Sequence, residues 1–189
     1  MQTILVTGGT GFLGKRLGKE LARLGYSVTL AGRNNKQLMA ASEFSGCPAL
    51  AMDVSHIESV RDIVTQVHPE TIIHAAATKF VDISEKQPME AIDVNVIGSQ
   101  NVARVSMEKG VQSVIGISTD KASPPVRNTY GLTKALMERL FCAMDGKTST
   151  KFMCVRYGNV AWSTGSVLGI CYKMLKDKGV IGTTGPEMY

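Results

Sequence analysis

The 189-residue sequence predicts an α/β domain built on a doubly wound parallel sheet. Short apolar runs alternate with amphipathic helical stretches along the chain. Several of these runs are apolar on both faces, as strands covered by helices on both sides require. The first run leads into a glycine-rich turn that opens a helix, which is typical of a nucleotide-binding βαβ unit. A chain of this length buries one core, so we expect a single domain.

Six runs are predicted as strands and six stretches as helices, and the two kinds alternate along the chain. The predicted strands are Thr3–Thr7, Ser27–Gly32, Ala49–Asp53, Thr71–Ala75, Ser113–Thr119 and Lys151–Tyr157. The predicted helices lie near Phe12–Leu24, Lys36–Phe44, Ile57–Val67, Pro88–Lys109, Thr129–Met144 and Ser166–Lys178.

Composition and charge narrow the function classes. The net charge is +5, and the basic residues are scattered without the clusters or interleaved aromatic residues of a nucleic-acid surface, so we expect no nucleic-acid partner. No apolar run approaches the roughly 20 residues that span a bilayer. The first strand begins next to Met1 without a leader segment, and the four cysteines show neither pairing nor metal-ligand spacing. We therefore expect a cytoplasmic protein with reduced thiols and no metal.

The glycine-rich turn has the spacing of a dinucleotide cradle. Gly8 would permit the tight turn, Gly11 would let the backbone approach a pyrophosphate, and Gly14 would let helix and strand pack closely. A glycine-rich turn without a ligand is the alternative. The neighbouring residues of the turn and of the first helical turn are candidate cofactor contacts as well: Thr10, Phe12 and Leu13.

The end of the second predicted strand favours NADP over NAD. NAD-binding proteins place a carboxylate here for the ribose hydroxyls, whereas this chain has Arg33 and Asn34. A guanidinium can bind a 2′-phosphate through paired hydrogen bonds, although a solvated surface arginine is the alternative. Asp53 would accept from the adenine amino group or simply cap the next helix. Further cofactor contacts are expected at strand ends: Val54, Ala75, Ala76, Ala77 and Tyr157.

Tyr130 and Lys134 stand four residues apart on a predicted helix and therefore share one face. An ammonium near a phenol stabilises the phenolate and lowers the tyrosine pKa, which suits a proton acceptor. This spacing occurs often by chance, but it gains weight from Ser118 and Thr119 at the preceding strand end. We expect Leu132, Leu136 and Leu140 to form a separate stripe that packs on the sheet.

Six segments in this order resemble the extended short-chain dehydrogenase/reductase family, and among its members the C5-inverting UDP-N-acetylglucosamine 4,6-dehydratases of bacterial polysaccharide biosynthesis. They cover nearly the whole chain: Thr7–Gly14, His74–Lys79, Asn95–Gly98, Ser118–Lys121, Tyr130–Lys134 and Val155–Val160. Lysine after Thr119–Asp120 is similar to the inverting dehydratases, whereas epimerases usually carry small residues there. An Asp–Lys pair in a solvated turn is the alternative.

The resemblance implies a reaction sequence and the residues that perform it. Tyr130 would deprotonate the C4 hydroxyl while a hydride passes to NADP⁺, and Thr119 would hold that hydroxyl. Lys121, neutral, would remove the C5 proton, and Asp120, protonated, would give its proton to the departing C6 hydroxyl. Hydride would then return to C6. This cycle requires the pKa values of the acid and the amine to move toward neutrality.

The same resemblance implies roles for several other residues. Lys79 would meet sugar or diphosphate oxygens, and Asn159 and Ser166 would contact the substrate diphosphate or the nicotinamide end of the cofactor. Asn95 resembles an asparagine that orders the active-site lysine through water, and a buried residue bonded to backbone is the alternative. His74, inside an apolar strand end, is interpreted as structural.

The family continues beyond this length with a smaller lobe that holds the UDP-sugar. We expect most of that lobe to be missing here, because Thr183–Tyr189 is turn-like. We therefore expect dinucleotide binding with slow or no sugar turnover. We expect the loop Ala122–Thr129 to be one residue longer than in the family, which could shift Lys121 relative to Tyr130. A homo-oligomer through the helices Pro88–Lys109 and Thr129–Met144 is implied. The alternatives are a nucleotide-sugar 4-epimerase and a non-catalytic NADP-binding module.

Overall fold

A computed structural model describes residues 1–163 and 165–182, and the predicted turn at Thr183–Tyr189 lies outside them. The described strands are β1 (Thr3–Thr7), β2 (Ser27–Gly32), β3 (Ala49–Ala51), β4 (Thr71–His74), β5 (Ser113–Thr119) and β6 (Lys151–Tyr157). The described α-helices are α1 (Phe12–Arg23), α2 (Asn35–Ser45), α3 (Ile57–Val67), α4 (Val81–Lys86), α5 (Pro88–Ile92), α6 (Gly98–Glu108), α7 (Thr129–Met144) and α8 (Val167–Lys178).

The strands form one sheet in the order β3-β2-β1-β4-β5-β6. β1 pairs in parallel with β2 and β4, β2 with β3, and β4 with β5. The chain crosses from one edge to the centre between β3 and β4, so the loops after β1 and β4 diverge and open a crevice at their carboxyl ends. The predicted doubly wound sheet is confirmed, and it is the nucleotide-binding fold that the resemblance implies.

Two predicted strands end earlier than expected. β3 ends at Ala51 because the Asp53 N–H donates to the Ser59 hydroxyl at 3.0 Å and thereby leaves the ladder. β4 ends at His74, although the Ala75 N–H still donates to the Thr7 carbonyl at 3.1 Å. The other four strands have their predicted bounds.

The predicted helix Pro88–Lys109 is interrupted by one π-helical turn, Asp93–Ile97, which connects α5 directly to α6. A short helix, α4, was not predicted at all. Its six residues make fewer than two turns, too short a window for a helical period to be recognised. A 3₁₀ turn at Asp120–Ala122 follows β5.

Two apolar clusters cover the two faces of the sheet. One joins α3, α6 and α7 to the sheet around Ile72, Val102 and Phe141, and the other packs around Leu30 beneath α1 and α2. The predicted leucine stripe of α7 is wrong, because Leu132 and Leu136 are 58% and 50% exposed. Met137 and Phe141 form the face that packs on the sheet, and only Leu140 of the stripe contacts this core, from a partly buried position.

The chain divides into two compact units, Met1–Arg156 and a second unit that begins at Tyr157. In the second unit, Ser166 caps α8 by accepting from the Gly169 N–H at 3.4 Å, and the Trp162 ring packs edge-on to Tyr172 with centroids 5.9 Å apart. Across residues 1–163 and 165–182, every helix is too short or too polar to cross a membrane.

Candidate active site

The glycine-rich turn after β1 has no room for side chains at two of its positions. Gly8 has φ +67°, and a Cβ there would lie 2.6 Å from the Ala76 nitrogen. A Cβ on Gly14 would overlap the Gly8 carbonyl oxygen, so α1 can pack directly on the turn. The structure therefore gives Gly8 and Gly14 the steric roles predicted for them.

The N-terminus of α1 points into this turn without a side-chain cap from the described residues and without an acidic residue in its first turn. Gly11 precedes the helix, and its N–H donates to the Gly8 carbonyl at 2.9 Å. Thr10 packs against Gly32 at the end of β2, and Phe12 and Leu13 begin the helix. The positive end of the helix dipole is therefore uncompensated, which suits a phosphate group.

The end of β2 carries Arg33, whose guanidinium is exposed and lies 3.8 Å from the Glu90 carboxylate. Asn34 has a structural role, because its side chain accepts from the Gln37 N–H at 3.0 Å and caps α2. The prediction of Asn34 as a cofactor contact did not include this cap.

Asp53 lies near the same edge and is held as a carboxylate. Partial burial opposes ionisation, but hydrogen bonds from the Ser55 hydroxyl and N–H, at 2.7 and 3.0 Å, and the nearby charge of Arg33 hold its pKa below the ordinary value. Its second oxygen, Oδ2, lies 3.6 Å from His56 Nδ1, and the contact of Asp53 to an adenine amino group stays a prediction.

The remaining residues predicted to contact the cofactor at the strand ends have small apolar side chains, so they would contact it mainly through backbone atoms. Val54 is buried against Gly98, and its carbonyl accepts from the Asn101 side chain at 2.9 Å. Ala76 donates its N–H to the Thr7 hydroxyl at 3.3 Å, while Ala75 and Ala77 are half-buried beside it. These small residues border the crevice next to Gly8.

Tyr130 and Lys134 lie one turn apart on α7, as the sequence predicts. Asn128 starts this helix by accepting from the Gly131 N–H at 2.7 Å. Lys134 is only 2% exposed, and burial lowers its pKa to about 8 against the opposing influence of Cys154 and Glu138. Its Nζ lies 3.2 Å from the Met137 sulfur. A buried amine with a pKa near neutrality is the kind of group that tunes a neighbouring phenol.

Thr119, Asp120 and Lys121 form a compact hydrogen-bonded turn at the end of β5. The Thr119 hydroxyl donates to Asp120 Oδ1 at 2.9 Å, and Lys121 Nζ lies 3.2 Å from the same oxygen. These two donors lower the pKa of Asp120. The direction is opposite to the one that the protonated acid of the predicted mechanism needs.

Gly131 brings this turn against the first turn of α7. A Cβ at residue 131 would overlap the Lys121 carbonyl oxygen and meet the Val126 side chain at 3.0 Å. The backbone of the Asp120–Lys121 turn therefore packs directly on the helical turn that begins with Thr129 and Tyr130. The loop Ala122–Thr129 leaves the two segments in backbone contact, and a shift of Lys121 relative to its position in the family stays a prediction.

Glu138 and Arg156 add a clamp that the sequence did not predict. Arg156 forms two hydrogen bonds to the Glu138 carboxylate, at 2.7 and 2.6 Å, and donates to the Ser123 hydroxyl at 2.8 Å. This pairing lowers the pKa of Glu138. The clamp joins β6 and α7 to the segment just after Lys121. The signal in the sequence that could have indicated this clamp is Glu138, four residues after Lys134 on the same helix.

The residues predicted to bind the substrate, together with Asn95 and Tyr157, lie in different parts of the chain. The amine of Lys79 lies 5.1 Å from the Phe80 ring, and partial burial lowers its pKa. Asn95 is bonded to backbone, because it accepts from the Thr78 N–H at 2.8 Å and donates to the Thr78 carbonyl at 3.2 Å. Tyr157, Asn159 and Ser166 belong to the second unit, where Ser166 caps α8.

Within residues 1–163 and 165–182, no three His, Cys, Asp or Glu side chains are grouped to hold a metal ion, and the four cysteines are free. The candidate site offers a phenol, two amines, a carboxyl group and hydroxyls on the segments that follow β5, and the glycine-rich turn follows β1 of the same sheet.

Comparisons with known proteins agree with this geometry. UDP-N-acetylglucosamine 4,6-dehydratase (inverting) from Campylobacter jejuni is 38% identical over 93% of this chain and 54% of its own length. UDP-glucose 4-epimerase from Rickettsia conorii is 34% identical over 99% of this chain and 57% of its own length. The X-ray structure of Pen from Bacillus thuringiensis superposes with a TM-score of 0.87 at 28% identity, covering 94% of this chain and 58% of that one.

The chain thus spans a little over half the length of each of these proteins. The family model described as polysaccharide biosynthesis protein matches residues 4–189. The chain belongs to this polysaccharide biosynthesis protein family, within the extended short-chain dehydrogenases/reductases.

Proposed function

We propose that the chain supplies the dinucleotide-binding and proton-transfer part of an NADP-dependent nucleotide-sugar 4,6-dehydratase. Its substrate would be UDP-N-acetylglucosamine or a close relative, dehydrated with inversion at C5 for polysaccharide or glycan synthesis. The observation that supports the proposal is the packing of Gly131 on the Lys121 carbonyl, because it brings the backbone of the turn that carries Asp120 and Lys121 against the helical turn that carries Tyr130. The similarity to the Campylobacter jejuni dehydratase supports the same assignment.

The residues present fit a nicotinamide dinucleotide. A pyrophosphate would bind at the uncapped N-terminus of α1 beside Gly8, where an added Cβ would collide with the Ala76 backbone, and Gly11, where an added Cβ would lie 3.1 Å from the Gly8 carbonyl oxygen. Arg33 would bind a 2′-phosphate, and the segment Gly32–Asn34 has no acid to bind a free ribose hydroxyl. When bound, the nicotinamide would accept a hydride from C4 of the sugar and return it to C6.

The chain's own residues would move the protons. Tyr130 takes the proton of the C4 hydroxyl, held by Thr119, and the charge of Lys134 favours the phenolate. The C4 ketone acidifies the C5 hydrogen, and Lys121 accepts that proton as neutral amine. Asp120 donates a proton to the C6 oxygen, which leaves as water, and C5 takes up a proton from the face opposite to Lys121, as inversion requires.

Proton donation by Asp120 requires a change from the arrangement in the structure. The lowered pKa of Asp120 reflects the hydrogen bonds from Thr119 and Lys121. A sugar hydroxyl that inserts between Asp120 and Lys121 would remove the ammonium from the carboxylate and favour its protonation. The proposed mechanism therefore includes separation of this pair when the sugar binds.

Reaction in heavy water tests the proposal. The chain is incubated with UDP-N-acetylglucosamine and NADP⁺ in heavy water, and the sugar nucleotide is analysed by mass spectrometry and NMR. Dehydration removes the mass of water and places deuterium at C5. A product that keeps its water and carries no deuterium would reject the dehydratase. We expect turnover to be slow, because the chain spans little more than half of its relatives' length, and robust turnover would overturn that part.

A nucleotide-sugar 4-epimerase is the second candidate. The lowered pKa of Asp120 favours it, because epimerisation needs no protonated acid at this position. The similarity to the Rickettsia conorii epimerase favours it as well. Epimerisation would use Thr119, Tyr130 and Lys134 alone, so the heavy-water product separates the two candidates.

Substitution of Arg33 tests the choice of NADP. Arg33→Ala is expected to weaken NADPH binding about tenfold and to leave NADH binding unchanged, because a charge-assisted contact to the 2′-phosphate is lost. Titration of cofactor fluorescence measures both. Arg104→Ala, at an exposed position on α6, is the matched control. Equal affinities of the wild-type chain for NADPH and NADH would contradict the preference.

We also propose association into a homo-oligomer through the α5–α6 and α7 helices. Their outer faces expose Met89, Ile92 and Ile97 together with Leu132 and Leu136. Exposed apolar side chains on adjacent helices are typical of an interface between copies. Analytical ultracentrifugation of wild type and a Leu132→Asp, Leu136→Asp double variant tests this, with dissociation of the variant expected.

A further inference from the structure

A continuous set of buried hydrogen bonds passes through His74, between the end of β1 and the long helix. The His74 side chain has no solvent exposure. Its Nδ1 lies 2.8 Å from the Thr7 hydroxyl oxygen, and its Nε2 lies 3.0 Å from the Ser99 hydroxyl oxygen. Both ring nitrogens are therefore engaged, one on each side.

The outer partners fix the direction of these bonds. The Ser99 hydroxyl donates its one proton to the Asn95 carbonyl at 2.6 Å, so its oxygen must accept from His74 Nε2–H. Burial and the charge of Lys134 lower the pKa of His74 to about 3, so the ring is neutral. Nδ1 then carries a lone pair and accepts from the Thr7 hydroxyl, whose oxygen accepts in turn from the Ala76 N–H. Only the Nε2–H tautomer satisfies every group.

The other end of the set reaches the active-site segments through Asn95. Its Oδ1 accepts from the Thr78 N–H, and its Nδ2 donates to the Thr133 hydroxyl oxygen at 3.0 Å. The Thr133 hydroxyl donates to the Tyr130 carbonyl at 2.9 Å. Asn95 and Ser99 belong to the π-helical turn and the start of α6, one helical turn apart.

We propose that His74, as the neutral Nε2–H tautomer, is a positioning residue that fixes the long helix against the strand ends of the glycine cradle. Through Ser99 and Asn95 it holds the Thr78–Lys79 segment and the first turn of α7 in place. The roles of the cradle and of Tyr130 rest on the proposed function, whereas the tautomer and the mechanical coupling do not.

The tautomer is tested directly on the wild-type chain by ¹⁵N NMR of labelled histidine. His74 is expected to show protonated Nε2 and unprotonated Nδ1 and to keep both from pH 7.5 to pH 5. The resonances are assigned with His56→Gln and His68→Gln, both at exposed positions. An Nδ1–H tautomer, or protonation of His74 within this range, would overturn the proposal.

The coupling is tested with two buried serines of α6. Ser99 and Ser106 are both fully buried, and each donates to the carbonyl four residues earlier, but only Ser99 also bonds to His74. Ser99→Ala is expected to shift the amide signals of Thr78 and Thr133 and to weaken NADPH binding about fivefold, in the range of ordinary coupling between sites. Ser106→Ala should do neither.

The outcomes distinguish the inference from the function on which it builds. Unchanged Thr78 and Thr133 signals in a folded Ser99→Ala variant would overturn the positioning role. Failure of the wild-type chain to bind NADPH, with the His74 tautomer and the signal shifts as expected, would overturn the proposed function and leave the positioning role supported.

Discussion

Two lysines of the candidate site, thirteen residues apart, have opposite environments. Lys134 is enclosed by the core of the sheet and α7, and loss of hydration lowers its pKa to about 8. Lys121 is one-third exposed and is paired with Asp120, whose carboxylate is half-exposed and stabilised in its ionised form. Burial alone thus lowers the pKa of Lys134, whereas the Asp120–Lys121 pair would need a bound ligand to change its protonation. In the proposed mechanism, Lys134 would therefore stabilise the Tyr130 phenolate as it stands, whereas the Asp120–Lys121 pair would have to rearrange before it transfers protons.

The largest expected effect concerns the adaptable pair. Asp120→Asn and Lys121→Met are each expected to reduce sugar dehydration by about 10²-fold or more, because each removes a proton-transfer group, while NADPH affinity stays unchanged. The measurement is deuterium incorporation at C5 by mass spectrometry. Asp177→Asn, at an exposed Asp–Lys pair of α8, serves as control. Equal rates for wild type and both variants would remove the pair from the mechanism.

The next effect concerns the buried amine. In the unfolded chain a lysine has an ordinary pKa near 10.5, so between pH 8 and 10.5 the unfolded state binds more protons than the folded state. The cost of burying the charge is therefore present below pH 8 and is relieved as pH rises through this window. We expect wild type to gain about 2 kcal/mol between pH 7.5 and pH 9.5 relative to Lys134→Met. Urea unfolding at pH 7.5 and 9.5 measures it.

The exposed position Lys36 provides the control for this experiment. Lys36→Met should have the same pH dependence as wild type, because it leaves the buried Lys134 in place. If Lys134→Met also follows wild type, the amine is hydrated in solution and the contrast between the two lysines disappears.

A smaller effect is expected at the contact between the Asp120–Lys121 turn and the helix α7, which carries Lys134. Gly131→Ala would force a Cβ against the Lys121 carbonyl and should destabilise the chain by about 1–3 kcal/mol. Gly169→Ala is a close match, since both glycines donate their N–H to the side chain that caps their helix. At Gly169 the nearest atom to a Cβ lies 3.5 Å away, so alanine should be neutral or stabilising. Thermal unfolding compares them, and equal shifts would mean that the turn does not pack on α7.

The smallest effect is the contribution of the exposed pair to stability. Asp120→Asn should change the free energy of unfolding by less than about 1 kcal/mol, because solvent screens this ion pair. Urea unfolding in low and high salt measures it. A loss of several kcal/mol would mean that the pair is structural, and the assignment of Asp120 as an adaptable acid would have to be abandoned.

Much of the fold followed from the sequence because its signals are local. Short apolar runs predicted β1, β2, β5 and β6 at their observed bounds, and the glycine spacing predicted the turn before α1. The exposed leucines of α7 were misplaced, since periodicity shows that a stripe exists but not which neighbour covers it. Helix α4 was too short for a periodic pattern to be recognised.

The sequence predicts which residues form the candidate site but not their protonation states. It points to Asp120, Lys121, Tyr130 and Lys134, yet the lowered pKa of Asp120 arises from a hydrogen bond donated by Thr119 and a contact to Lys121 that only coordinates show. The Arg156–Glu138 clamp and the bonds of His74 join residues 18 to 67 positions apart. Such long-range polar contacts carry no periodic signature.

The π-helical turn at Asp93–Ile97 shows where the gene can absorb a change of length. This turn takes up one residue more than an α-helical turn, so the residues that follow it keep their angular position on the helix. Deleting the exposed Asp93 would regularise the backbone and leave the buried face of α6 in place. Deleting one residue inside α6 would instead rotate everything after it by about 100° and carry buried residues such as Val105 out of the interior. A single-residue deletion should therefore be better tolerated at Asp93 than within α6.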